Sequence, residues 1–176
     1  MNRSPILAAT LLCAMGSAAM AQDTSAIVQP SASAKAFVEE AGTIGLAEVE
    51  MGELGAQKAT SGQVKAFAKQ MVADHTKANQ ALLTAVKGKG MQVPSSRTDT
   101  HKATIEKFQK QDAGKNFDRD YMEQMVADHK AAVELFETAA DDEKLDLALR
   151  SYATATLPAL RDHLKQAQTI QSKLAD

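Results

Sequence analysis

The spacing of the hydrophobic residues constrains this chain most, because it follows the helical period from residue 34 almost to the C-terminus. Phe37, Ile44 and Met51 recur every seven residues, which places them on one face of a helix. The chain contains only 9 Gly and 4 Pro, lacks Trp, and is 4% aromatic, which disfavours a β-sandwich or β-barrel. The sequence therefore predicts an all-α protein, and its 176 residues are typical of one domain.

Four long helices and one short helix are predicted from this period and from the capping signals around it. Residues 60–62 and 141–142 offer N-caps, and the acidic residues Asp118 and Asp120 are expected to face solvent. Pro158 lies inside the last helix and predicts a kink at residues 154–156. The predicted bounds are 34–58, 63–87, 98–112 for the short helix, 117–139, and from the cap at 141–142 to at least 170.

The connection between the second and third long helices is about twenty-five residues long, which exceeds a simple bundle turn. The other two connections between long helices are short, so each is expected to join an antiparallel pair. Two hairpins joined by a long crossover are the connectivity of a ferritin-like four-helix bundle. We assign this bundle to residues 34–176, with the short helix in its crossover.

The first 21 residues have the pattern of a secretory signal peptide. Arg3 precedes an apolar stretch over residues 6–15, and residues 19–21 form a small-x-small cleavage site. We expect cleavage after Ala21 and a flexible leader over residues 22–33. The mature protein should therefore be periplasmic or secreted.

Charge and cysteine content exclude several functional classes. The chain carries 20 Lys and Arg against 22 Asp and Glu without a basic run, so it lacks the features of a nucleic-acid-binding protein. No segment after the signal is long and apolar enough for a transmembrane helix. Cys13, the only cysteine, lies within the signal, so the mature chain has no thiol nucleophile or thiolate ligand. We expect no catalytic residues, because the sequence has neither a Gly-rich phosphate loop nor a Ser-His-Asp pattern.

A hexapeptide, Gln-Met-Val-Ala-Asp-His, occurs twice, at residues 70–75 and 124–129, and an Asp-His pair recurs in the last helix. His75, His129 and His163 each follow an aspartate and each falls on the apolar face of its helix. Imidazoles and carboxylates that converge from facing helices can bind a divalent transition metal. The repeat therefore indicates a candidate metal site in the bundle interior.

A depth estimate at about 1.5 Å per residue selects which of these residues meet. Counted from the helix connections, Glu48, His75 and His129 lie near the middle of the bundle. His163 lies some twenty residues beyond Asp141, which places it about two helical turns nearer one end of the bundle than the other three residues. We therefore predict a metal site of Glu48, His75 and His129. Three further residues are predicted to orient these ligands or to replace one of them: Asp74, Asp128 and His163.

Most of the mature chain resembles the bacterial domain-of-unknown-function family 4142. The resemblance implies a ferritin-like bundle exported to the cell envelope, in a family without an established activity. The Glu-x-x-His motif of di-iron ferritin relatives is absent, because Val72, Val126 and Leu160 lie three positions before the histidines. The matching stretches are FVEEAGTIGLAEVEMGELGAQKATSGQVKAFAKQMVADHTKANQALL, FDRDYMEQMVADHKAAVELFE and LPALRDHLKQA.

Two functional classes stay open at this point. In the first, the protein is a non-catalytic binding or envelope-stress protein, and its histidines are core residues whose hydrogen bonds fix helix register. In the second, it is a ferritin-like protein that binds Zn, Cu, Ni, Mn or Fe through interior histidines and carboxylates. The missing Glu-x-x-His motifs favour the first class. The sequence identifies neither the metal, nor an envelope partner, nor the oligomeric state.

Overall fold

The computed structural model describes residues 29–175, which form five helices. This part of the chain contains no strand, which confirms the predicted all-α class. The predicted signal peptide and residues 22–28 of the predicted leader lie outside the described residues. None of the described helices is long and apolar enough to span a bilayer. The helices are α1 (Ala32–Lys58), α2 (Gly62–Val86), α3 (Asp99–Lys110), α4 (Lys115–Asp141) and α5 (Leu147–Ala175).

The four long helices form a bundle of two antiparallel hairpins, α1–α2 and α4–α5. The hairpins pack through α1 against α4 and through α2 against α5, while α3 lies on α1. Lys58, at the end of α1, donates hydrogen bonds from Nζ to two carbonyls in the last turn of α3, those of Phe108 (3.0 Å) and Gln109 (2.7 Å). The crossover therefore returns the chain to the end of the bundle where α1 finishes. This arrangement confirms the predicted pair of hairpins joined by a long crossover.

Asp118 is buried and caps α2, although the sequence placed it on a solvated face. Its carboxylate accepts hydrogen bonds from the backbone N–H of Thr60 (2.9 Å), the backbone N–H of Ser61 (2.7 Å) and the Thr60 hydroxyl (2.6 Å). Ser61 occupies the N-cap position but makes no side-chain cap bond. A negative charge is favourable at a helix N-terminus, where backbone N–H groups lack partners. Asp118 therefore ties the second hairpin to the turn of the first.

We expect Asp118→Ala to lower the free energy of unfolding by about 1–3 kcal/mol, because it leaves partly buried N–H groups of the α1–α2 turn without an acceptor. Urea denaturation followed by circular dichroism measures this loss. Glu123→Ala, at an exposed position on the same helix, is the matched control and should change stability by less than about 0.5 kcal/mol. Equal stabilities of the two variants would show that the cap contributes nothing.

The last helix begins later than the sequence predicted. Helix α4 continues through Asp141, and α5 starts only at Leu147. Asp146, rather than residues 141–142, caps α5 by accepting hydrogen bonds from the N–H groups of Ala148 (2.9 Å) and Leu149 (3.2 Å). Helix α5 includes Pro158, and the kink expected upstream of it stays a prediction.

Candidate metal centre

Three histidines from α2, α4 and α5 meet in the bundle interior, and we call them the tri-histidine cluster: His75, His129 and His163. One ring nitrogen of each lies within 4.8 Å of one ring nitrogen of each of the others. Their ring centroids are 5.4 to 5.6 Å apart. The side chains are 5%, 1% and 2% exposed, so the cluster is shielded from bulk water.

The tri-histidine cluster lies between two hydrophobic clusters of the core. One fills the end of the bundle where α1 finishes and α4 begins, and the other fills the opposite end. On each of the three helices the histidine falls between the last member of one cluster and the first member of the other: Met71 and Leu82 on α2, Val126 and Ala132 on α4, Leu160 and Ala167 on α5. Polar atoms in such surroundings are costly unless they have partners.

Two of the rings have one nitrogen fixed by a hydrogen bond. Nδ1 of His129 lies 2.9 Å from the carbonyl oxygen of Met125, so this nitrogen carries the proton and donates it. Nε2 of His163 lies 2.9 Å from a carboxylate oxygen of Asp74 and donates to it. In a neutral imidazole the other nitrogen then keeps a free electron pair. The electron pairs are therefore on Nε2 of His129 and Nδ1 of His163.

These two nitrogens and Nε2 of His75 are buried and have no hydrogen-bond partner within residues 29–175. An unpartnered buried polar atom typically costs about 1–3 kcal/mol. A metal ion bound among the three rings would provide partners for such atoms. The arrangement differs from a core histidine whose two nitrogens are both hydrogen-bonded.

Burial keeps two of the imidazoles neutral. It lowers the pKa of His75 to about 3, and the neighbouring His129 and His163 lower this pKa further. It also lowers the pKa of His129 to about 4, although the Met125 carbonyl opposes this shift. Both rings are therefore unprotonated near neutral pH, as metal ligation requires.

His163 belongs to the cluster, so the depth estimate that set it about two turns away is wrong. His163 lies sixteen residues after the start of α5 at Leu147, and His129 lies twelve residues before the end of α4 at Asp141. The difference of four residues corresponds to about 6 Å, roughly one helical turn. The estimate failed because it counted the five residues of the α4–α5 connection as helix.

Glu48 lies outside the tri-histidine cluster, so only the two histidines of the predicted trio belong to it. Its side chain is 4% exposed and lines a cavity of about 590 Å³ between α1, α3 and α4. Asp128 lines the same cavity and accepts a hydrogen bond from Nε2 of Gln124 (2.9 Å). Among the described residues, Asp74 is the predicted carboxylate that hydrogen-bonds to a histidine of the cluster.

The contact between Asp74 and His163 could not be read from the Asp-His repeat. Adjacent residues on a helix point about 100° apart, so Asp74 cannot orient His75, its neighbour in the sequence. It contacts instead a histidine on a different helix, 89 positions later in the chain. The Asp-His pair at residues 162–163 was the available signal for the third histidine.

Comparisons with known proteins agree with this fold. A solved structure described as a crystal structure of a DUF305 fragment from Deinococcus radiodurans is similar with a TM-score of 0.71 and 10% sequence identity. The match covers 82% of this chain and 99% of that chain, and at this identity it supports the fold alone. No curated protein matches the sequence. The family model for the domain of unknown function DUF4142 matches residues 19–170, so the chain belongs to the DUF4142 family.

Proposed function

We propose that this protein binds one transition-metal ion at the tri-histidine cluster. The observation that carries the proposal is the set of three buried, unpartnered imidazole nitrogens on neighbouring helices. Neutral imidazole is a good ligand for Zn, Cu, Ni and Fe. The cluster contains no carboxylate that would bridge two metals, so it suits a single ion rather than a di-iron centre.

The spacing of the rings suits a metal ion after a small adjustment. Metal–nitrogen bonds of about 2.0–2.1 Å place tetrahedral ligand nitrogens about 3.3 Å apart. One ring nitrogen of each histidine lies within 4.8 Å of one ring nitrogen of each of the others, so modest side-chain rotations bring three nitrogens to this distance. Three protein nitrogens leave one tetrahedral position for a further ligand.

The hydrogen bonds around the cluster support the same role. Metal-bound histidines usually donate their other N–H to a carboxylate or a backbone carbonyl, which fixes the ring and increases its basicity. Asp74 accepts from His163 in this way, and the carbonyl of Met125 accepts from His129. Asp74 also receives a hydrogen bond from Gln70, which orients its carboxylate.

The cellular setting follows from the sequence pattern, and we include it in the proposal. An exported chain that keeps no cysteine would bind its metal through nitrogen ligands in an oxidising compartment. Holding or buffering a metal ion in the periplasm requires no catalytic residue. The alternative role, a non-catalytic binding or envelope-stress protein without a metal, stays a prediction.

Metal binding is tested on untagged protein purified from the periplasm. The protein is stripped with a chelator, incubated separately with Zn²⁺, Cu²⁺, Ni²⁺ and, under anaerobic conditions, Fe²⁺, desalted and analysed by elemental mass spectrometry. We expect about one ion per chain for at least one of these metals and none for Mg²⁺ or Ca²⁺, which prefer oxygen ligands. Retention of none of the four transition metals would refute the proposal.

A further inference from the structure

The cavity between α1, α3 and α4 is a second candidate site that the tri-histidine cluster does not use. Its volume of about 590 Å³ is within the range of pockets for small organic molecules. Helices α1, α3 and α4 form its walls, so α3 serves as one side of a ligand cleft. We call it the α3 cleft.

Oxygen acceptors dominate the polar lining of the α3 cleft. Glu48 is 4% exposed, and its Oε2 has no hydrogen-bond partner in the described part of the chain. Asp128 lines the same space from α4, and the exposed residues Glu39 and Glu40 line it from α1. None of the described lining residues is Lys or Arg. The cleft is therefore built for a positively charged or hydrogen-donating ligand.

The remaining lining indicates an organic ligand rather than a metal ion. Apolar side chains from α1 and α3 (Ile44, Met51 and Ile105) provide contacts for a hydrocarbon chain. The carboxylates of the cleft and the ring of His101 do not form a ligand group of metal-binding spacing among the described residues. A cavity of this size is also far larger than a single ion requires.

We propose that the α3 cleft binds a small primary ammonium compound, with its charged head beside Glu48 and its aliphatic chain along Ile44, Met51 and Ile105. A carboxylate and an ammonium group form a charge-assisted hydrogen bond, which is strong where water is excluded. The ligand would supply the partner that the buried Oε2 of Glu48 lacks. This site is independent of the metal proposed above.

Binding at this position should also release a proton. Burial, and secondarily the charge of Asp128, raise the pKa of Glu48 well above its usual value. His101 on α3 also lines the cleft, and its pKa is lowered because it is partly buried. A cation beside Glu48 favours the carboxylate form, so a ligand that enters displaces the proton.

Isothermal titration calorimetry with n-hexylammonium chloride tests the proposal on the full chain at physiological ionic strength. Hexan-1-ol and sodium hexanoate are the neutral and anionic controls of equal chain length. We expect hexylammonium to bind and both controls to bind at least about tenfold more weakly. Titrations in buffers of different ionisation enthalpy should show proton release on binding. Equal affinity for hexylammonium and hexanol would overturn the proposal, because the charged head would then contribute nothing.

Two variants assign the binding to Glu48. Glu48→Gln keeps the size of the side chain but removes its charge, and it should weaken hexylammonium binding by about tenfold to a hundredfold and abolish the proton release. Glu53→Gln, at an exposed position of α1 outside the cleft, should bind as the wild type does. Equal binding by Glu48→Gln and the wild type would refute the assignment. His75→Ala should retain hexylammonium binding, which separates this site from the metal site.

Discussion

Alanine in place of His75, His129 or His163 is expected to abolish the stabilisation that a bound metal gives the folded protein. A ligand at a hundredfold excess over its dissociation constant stabilises the fold by about 2.7 kcal/mol. For a domain of this size that corresponds to an increase in Tm of about 5–10 °C. Differential scanning fluorimetry measures this increase, with and without the metal that the protein retains in the chelator experiment. Each of the three variants should lose the increase in Tm.

His101→Ala is the matched control, because His101 lines the α3 cleft and lies outside the tri-histidine cluster. It should keep the full increase in Tm. Asp74→Asn should keep binding but lower the metal affinity by about 10–100-fold, because Asp74 orients the ring of His163. If the histidines are only core residues, metal leaves every Tm unchanged. The cluster would then have no metal-binding role.

Acidification is expected to destabilise the metal-free protein by on the order of 3–6 kcal/mol between about pH 7 and pH 4. In the fold the pKa of His75 is about 3 and that of His129 about 4, whereas histidine in an unfolded chain titrates near 6.5. Below about pH 6.5 the unfolded chain therefore binds protons that the folded state excludes. The contribution of the two neutral rings to the free energy of unfolding is complete above the pKa of histidine in the unfolded chain. It is lost as the pH falls toward the pKa values of the two rings in the folded protein.

The pH dependence is measured by urea denaturation in the presence of a chelator, from neutral to acidic buffer. His75→Gln replaces the titrating ring by a neutral polar side chain, so its stability should fall less steeply with acidification than that of the wild type. The raised pKa of Glu48 contributes in the opposite direction and is common to both proteins. Parallel pH profiles for wild type and His75→Gln would show that His75 is not buried as a neutral ring.

Much of the architecture was predictable because helix formation depends on a local period. The seven-residue recurrence of Phe37, Ile44 and Met51 predicted α1, and all three residues lie within it. The length of the segment between α2 and α4 predicted the crossover. The repeated hexapeptide predicted that His75 and His129 face the core, and both are buried. Each of these inferences depends only on the order and spacing of residues along the chain.

The sequence alone thus determined the helices, their hairpin pairing and the inward faces of the three histidines, but the tertiary structure decided which side chains meet. His163 reached the cluster because the α4–α5 connection is not helical, which changes its depth by about one turn. Glu48 was directed instead into the cleft that α3 completes, and Asp118 became a cap for another helix. These outcomes depend on the offset between helices, which connection lengths and long-range packing set, whereas the hydrophobic period fixes only the rotation of each helix about its own axis.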